Sequence, residues 1–260
     1  MIWIIGGTKD SRDILEKVLE IKKDDIIIST ATEYGGKLLE ECIKNNRDRK
    51  IRVLSERLEK NKMINLIREN NINLVIDASH PYAQNISKEA IDVAGRTGIK
   101  YIRFERKMLD YGKENVKKFN DLKEMSDYLR QYKGKNILST MGSNNLAEIK
   151  EMGDENNLYI RILPTTDSIK RAEELGYLPS RIIAVQGPVD KLLNKAILES
   201  YKIDYLITKE SGATGGEPEK IEACHETGTT VLILQRPLID YGTVYNDIDK
   251  LIENIKNRLS

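Results

Sequence analysis

The chain has 260 residues, with 42 Lys and Arg against 41 Asp and Glu and a formal net charge of +1. That length makes one large or two small domains and buries a core without disulfide or metal staples. The neutral balance excludes a general nucleic-acid binder, which carries a basic excess. No stretch approaches the ~18 consecutive apolar residues of a bilayer span, and the start Met1-Ile2-Trp3 lacks the basic region of a signal peptide. The expected setting is therefore the cytoplasm, with no membrane partner and with Cys42 and Cys224 as reduced thiols. Cys224 and His225 are neighbours that point about 100° apart on a helix, so no protein-bound metal is expected.

Short apolar runs alternate with amphipathic segments along the chain. A strand at 2–5 is followed by a helix at 11–20 and by strands at 26–30 and 51–54. A helix at 58–70 comes next, carrying Leu58, Met63, Leu66 and Ile67 on one stripe. A strand at 74–78, a helix at 87–97 and a strand at 101–104 complete the first half. The second half reads as a helix at 121–131, strands at 136–140 and 158–163, and a helix at 168–175. It continues with a strand at 181–185, a helix at 189–200, a strand at 205–208 and a helix carrying Lys220 and Cys224. A strand at 230–234 and a terminal helix over 245–259 close the chain. Strands apolar at nearly every position are buried on both faces, hence parallel and covered by helices.

This rhythm predicts an α/β fold of two Rossmann-like parallel-sheet domains facing a central cleft. The charged stretch 106–119 breaks the pattern and places the boundary. Residues 1–110 are then a nucleotide-binding domain, and 111–260 a second α/β domain completing the cofactor and substrate cleft. The halves show no clear internal identity.

In open α/β sheets ligands sit beyond the carboxyl ends of the strands, so the strand-to-helix loops carry the chemistry. The first is Gly6-Gly7-Thr8-Lys9-Asp10-Ser11-Arg12. Thr8 and Ser11 stand where a dinucleotide fingerprint has its later glycines, and a phosphate there would meet backbone amides and a helix terminus. The second, Thr30-Ala31-Thr32-Glu33-Tyr34-Gly35, has no acidic residue at the strand end, so a strict NAD preference does not follow. The third, Asp77-Ala78-Ser79-His80-Pro81-Tyr82, gathers a carboxylate, hydroxyl, imidazole and phenol on one turn. The fourth runs from Lys209-Glu210-Ser211-Gly212 through Gly215-Gly216 to Lys220, an anion nest without the Walker ending.

In this order the loops resemble the precorrin-6A reductase family of cobalamin biosynthesis, including its cobalt-precorrin-6A branch. The matching pieces are Gly6-Gly7-Thr8 with Arg12, Thr32-Glu33-Tyr34-Gly35, and Asp77-Ala78-Ser79-His80-Pro81-Tyr82-Ala83. They continue as Arg103-Phe104-Glu105-Arg106, Lys209-Glu210-Ser211-Gly212 with Gly215-Gly216, and Gln235-Arg236-Pro237. Ser79 stands where the family often has Thr, and Lys9-Asp10 where Thr8 is often followed by Glu.

The resemblance implies a reductase that uses NADPH or NADH to reduce a macrocycle double bond of a tetrapyrrole, precorrin-6A or its cobalt form. Any cobalt arrives with the substrate. Gly6, Gly7 and Thr8, helped by Ser11 or Arg12, are expected at the pyrophosphate, and Thr32, Tyr34 and Gly35 near the adenosine. Ser79 and His80 are expected near the nicotinamide ribose, with Lys209, Ser211 and Gly212 from the second lobe. Arg103, Arg106 and Arg236 are candidates for the substrate carboxylates, together with Gly215, Gly216 and Lys220. His80, Tyr82 or water would supply the proton. A monomer or weak dimer is expected. The rival readings are an S-adenosylmethionine-dependent methyltransferase and a non-catalytic nucleotide-binding regulatory module.

Overall fold

A computed structural model describes residues 1–21, 25–44, 50–112, 115–153 and 155–259. The strands form two wholly parallel six-stranded sheets.

The first sheet contains β1 (Ile2–Ile5), β2 (Ile26–Thr30), β3 (Ile51–Ser55), β4 (Leu74–Asp77), β5 (Lys100–Phe104) and the last strand of the chain, β12 (Val244–Tyr245). Its order is β12-β5-β4-β1-β2-β3, so the direction of winding reverses between β1 and β4. The apolar β1 follows from alternation: Ile2 and Ile4 face one layer, Trp3 and Ile5 the other, and all four are buried. One layer holds Ile14, Leu15 and Val18 of α1 (Lys9–Ile21), Leu39 of α2 (Glu33–Ile43), and Leu251 and Ile255 of α10 (Ile248–Leu259). The other holds Met63 and Ile67 of α3 (Lys60–Glu69) and Ala90 and Val93 of α4 (Gln84–Thr97).

The second sheet contains β6 (Val116–Phe119), β7 (Asn136–Ser139), β8 (Asn157–Ile162), β9 (Ile182–Ala184), β10 (Tyr205–Lys209) and β11 (Thr230–Leu234). Its order is β6-β11-β10-β7-β8-β9, with the reversal between β7 and β10. Its helices are α5 (Leu122–Leu129), α6 (Leu146–Met152), α7 (Thr166–Glu174), α8 (Lys191–Ser200) and α9 (Glu217–Thr227). Leu138, Leu206, Val231 and Ile233 pack on Ile197 and Leu198 of α8 and Ile221 and Cys224 of α9.

The chain divides into Met1–Lys107 with Pro237–Ser260, and Met108–Arg236. This corrects the boundary expected from the sequence, which assigned everything after residue 110 to the second domain. The first crossing falls close to the expected place, but the chain returns to the first unit, where β12 and α10 complete the sheet and its core. The stretch 106–119, apart from residues 113 and 114, which lie outside the described residues, holds the crossing and then the edge strand β6.

Internal identity is present where none was expected. Thr97, Gly98, Arg106, Asp110, Tyr111 and Gly112 recur without a gap as Thr227, Gly228, Arg236, Asp240, Tyr241 and Gly242. The structure repeats with them. Gly98 and Gly228 close α4 and α9 in the left-handed conformation, at φ 69° and 71°. The amides of Glu105 and Gln235 donate to the carbonyls of Tyr245 and Phe119, each at 2.8 Å. The strand next to the edge of each sheet, β5 in the first and β11 in the second, is thus followed by the same turn, and the strand after that turn pairs in the other sheet. No helix of the described residues is long and apolar enough to cross a membrane.

Candidate active site

In the first unit the loops after β1 and β4 meet at the reversal point, where open α/β sheets bind ligands. The Ala78 amide donates to the Ile5 carbonyl at 2.9 Å, and the Thr8 hydroxyl donates to the Ala78 carbonyl at 2.9 Å. Gly7 lies between these ties at φ 104°, a conformation that favours glycine, and its backbone is exposed. Gly6 is a packing glycine, since its amide donates to the Ser29 carbonyl at 2.7 Å and a Cβ would meet Ser11 Oγ at 3.0 Å.

Thr8 and Ser11 need correcting as direct phosphate contacts. The Ser11 amide donates to Thr8 Oγ1 at 3.1 Å, while the Ser11 hydroxyl donates to the Thr8 carbonyl at 2.7 Å. Both side chains are buried, so they build the turn that opens α1. Arg12 reaches back to the Thr8 carbonyl at 3.4 Å. Thr32 caps α2 by accepting the Gly35 amide at 3.1 Å, and Tyr34 is 46% exposed. A Cβ on Gly35 would collide with Thr30 Oγ1.

Behind the β4 loop stands a buried charge network. Asp77 accepts from the Ser79 amide (3.0 Å), the Ser87 hydroxyl (2.6 Å), the Tyr101 hydroxyl (2.6 Å) and Arg103 Nη1 (2.9 Å). Burial works against its ionisation, but the Arg103 charge and these donors prevail and hold its pKa below the ordinary value. Arg103 also donates to Ser79 Oγ at 3.1 Å and pairs with Glu105 at 2.8 Å. Arg103 is fully buried, which corrects its expected place at a substrate rim: a guanidinium without access to solvent holds the loop from behind. Arg106 is corrected likewise, for it pairs with Asp10 at 2.5 Å and neutralises a carboxylate in the first turn of α1. His80 emerges exposed at the loop tip, its Nδ1 accepting the Tyr82 amide at 3.3 Å, and the half-buried Tyr82 ring lies 5.8 Å away.

In the second unit the loops after β7 and β10 meet in the same way. Lys209 Nζ donates to Asn145 Oδ1 at 2.9 Å, and burial pushes the Lys209 pKa down. Gly142 and Gly212 share one glycine-type conformation, φ 77° and ψ −172° against φ 70° and ψ −179°. The Gly212 amide donates to the buried Glu217 carboxylate at 2.5 Å, and Ser211 is buried. The Gly215 amide donates to the Gly212 carbonyl at 3.0 Å, and a Cβ on Gly216 would meet Pro188 at 3.0 Å. Lys220 needs correction as a substrate contact. It is buried and donates to Thr208 Oγ1 at 3.0 Å, and burial, then the Arg161 charge, pushes its pKa down to about 8. Arg236 Nε donates to the Glu210 carbonyl at 2.8 Å.

Reading the sequence missed the 140–145 loop and the supporting groups Asp10, Glu217 and Tyr241. The signal for the loop was Gly142-Ser143 directly after an apolar strand. Asp10, Glu217 and Tyr241 matter only through tertiary neighbours. Among the described residues no group of three His, Cys, Asp or Glu side chains is arranged to hold a metal ion.

The model of the family described as precorrin-6x reductase CbiJ/CobK matches residues 1–256. The chain is 35% identical over 257 residues to the cobalt-precorrin-6A reductase of Methanocaldococcus jannaschii, covering 98% of each chain. It is 31% identical over 264 residues to the cobalt-precorrin-6A reductase of Priestia megaterium, covering 99% of each. Among solved structures, CobK precorrin-6A reductase shares its fold, with a TM-score of 0.77 at 16% identity over 98% of this chain and 96% of that one. With this full-length match added to two doubly wound sheets and their glycine-bearing reversal-point loops, the chain belongs to the precorrin-6x reductase family and is an oxidoreductase.

Proposed function

We propose that this chain reduces a macrocycle double bond of precorrin-6A or cobalt-precorrin-6A to the 6B form in cobalamin biosynthesis, using NADPH or NADH. One observation carries the reading: the exposed left-handed turn at Gly7 and the exposed imidazole of His80 stand on adjoining loops tied through Thr8 and Ala78. The donor set suits a dinucleotide. Gly7 lets backbone approach a phosphate closely, the N-terminus of the 13-residue helix α1 favours negative charge, and Arg106 cancels the nearby Asp10.

When bound, the nicotinamide supplies a hydride. Reduction of a double bond also needs a proton, and His80 is assigned to hold it, since imidazole changes charge near neutrality. Gly7 and Arg12 are assigned to the pyrophosphate, Thr32, Tyr34 and Gly35 to the adenosine side, and Ser79 to loop shape beneath the nicotinamide. Tyr82 is assigned to orient His80. Lys209 is assigned to a further cofactor contact and Arg236 to a substrate carboxylate, while Ser211, Gly212, Gly215 and Gly216, whose side chain or amides are engaged within the protein, are assigned to the shape of the loop that follows Lys209. We place the enzyme in the cytoplasm, as a monomer or weak dimer.

The direct test is titration of the pure chain with NADPH, NADH and S-adenosylmethionine, following nicotinamide fluorescence and thermal shift. Saturable binding of a nicotinamide and none of S-adenosylmethionine is expected. Binding of neither nicotinamide would defeat the assignment.

A further inference from the structure

Across the second sheet the strand register sets three side chains in a row at the carboxyl ends of the strands. Leu206, Leu138 and Tyr159 are neighbours on β10, β7 and β8 and pack in the core beneath α8 and α9. Two residues further along each strand, on the same face, stand Thr208, Thr140 and Arg161. The Thr140 amide donates to the Ile207 carbonyl at 2.8 Å and carries the pairing that far. Ligands of open parallel sheets sit at this end.

Two cations stand on this row. Lys220 reaches Thr208 Oγ1 from α9 at 3.0 Å, and Arg161 Nη1 donates to Asn194 Oδ1 on α8 at 2.7 Å. Burial and then the Arg161 charge hold the Lys220 pKa down, so the two charges act on each other. The remaining Arg161 N–H groups bond to no described residue. Among the described residues no carboxylate pairs with Arg161, and burial pushes its pKa down to about 10. The buried Arg103, by contrast, has Asp77 and Glu105 against it. Keeping a half-buried guanidinium without a counter-ion is unfavourable, and a ligand that brings the missing charge offsets this.

The surroundings narrow the ligand. Leu163, two residues beyond Arg161, is 40% exposed, and Leu193, next to Asn194, is 43% exposed. Exposed leucines beside a guanidinium with donors still to offer suit a carboxylate carried on a largely apolar body.

We propose that Arg161 binds a carboxylate of the macrocycle substrate, with the Lys220 ammonium adding its charge from within the protein and Leu163 and Leu193 meeting the apolar edge of the ring. The carboxylate chemistry rests on this geometry, and the macrocycle as its carrier rests on the function proposed above.

The test is Arg161→Met, which keeps an apolar stem and removes the fork, measured on the full chain with cobalt-precorrin-6A or precorrin-6A and a nicotinamide dinucleotide. KM for the macrocycle should rise about 10–100-fold, the weight of hydrogen bonds to a charged group. Turnover and the KM for the nicotinamide should stay at wild-type values, since the contact is the same in ground and transition states. The thermal midpoint should stay near that of wild type, because no carboxylate loses a partner. Arg161→Lys keeps the charge without the fork, and its macrocycle KM should fall between the two. It decides alone if the methionine variant does not fold, and a wild-type KM there overturns the proposal. A folded Arg161→Met with unchanged macrocycle KM overturns it as well. So does a joint loss of macrocycle affinity, nicotinamide affinity and thermal midpoint, which would make Arg161 a structural residue. Macrocycle binding is also read without cofactor, from the macrocycle's own absorbance. Binding that weakens in Arg161→Met, while the wild type oxidises no nicotinamide, defeats the reductase and leaves the carboxylate contact standing. Nicotinamide oxidation with a macrocycle KM indifferent to Arg161 does the reverse.

Discussion

Arg103 and Asp77 form an ion pair at 2.9 Å in which the side chains are 1% and 0% exposed. A pair this deep is costly to desolvate and is maintained by the further donors around it. Its place directly beneath Ser79 and His80 makes it a support for the proposed site.

Removing either partner strands a buried charge, so Asp77→Ala or Arg103→Ala should cost about 3–5 kcal/mol of stability in urea denaturation. The Asp77 pKa is depressed in the folded chain, so its contribution is complete above the unfolded value near ~4 and is lost as pH falls through the folded value. Asp77→Asn should lower stability at neutral pH and flatten its decline in acid. A wild-type acid slope retained in Asp77→Asn would show that other groups set it.

Gly7→Ala forces a side chain into φ 104° with its Cβ 3.2 Å from Thr30 Oγ1. The strain should cost about 1–3 kcal/mol, and calorimetric titration should show nicotinamide dinucleotide binding weakened or lost. A variant that binds as wild type would remove this turn from the site.

His80 is exposed at its loop tip, so its removal should spare the fold. His80→Ala is expected to reduce turnover about 10²–10⁴-fold, the range of general acid–base catalysis. Its thermal midpoint should stay close to that of wild type. Matched losses of midpoint and activity would make His80 a structural residue.

Lys220 has its pKa pushed down to about 8 in the folded chain from an ordinary value of 10.5. The unfolded chain therefore binds more protons between those values, and folding stability gains as pH rises through them. Lys220→Met should remove that gain. The stability difference between wild type and variant should shift by about 3 kcal/mol from pH 7 to pH 11, at 1.36 kcal/mol per pKa unit. A difference independent of pH would place the Lys220 pKa at its ordinary value.

Much of the fold was legible from local patterning. β1, β2 and β11 fall where continuous apolar runs put them, because central parallel strands are buried on both faces. β6 and β12 were missed for the opposite reason. Val116-Lys117-Lys118-Phe119 is a charged edge strand, and Val244-Tyr245 is two residues long, so neither carries a strand signal of its own. The glycines of Glu33-Tyr34-Gly35-Gly36 hid α2, although Gly35 and Gly36 are what let that helix approach Thr30 and Ser55.

The candidate site was legible in its loops and not in its roles. Arg103 and Arg106 have the charge a carboxylate ligand needs, and only tertiary structure shows that Asp77, Glu105 and Asp10 have taken it. The repeat from Thr97 to Gly112 and from Thr227 to Gly242 was readable in the letters, but the stacking of the buried Arg103 on the Tyr241 ring was not.

The central claim is tested most directly by incubating the pure chain with cobalt-precorrin-6A or precorrin-6A and either NADH or NADPH. Nicotinamide absorbance and product mass are then followed together. The account predicts substrate-dependent oxidation of one nicotinamide and a product heavier by two hydrogens. No oxidation and no change of mass with either macrocycle and either cofactor would contradict it.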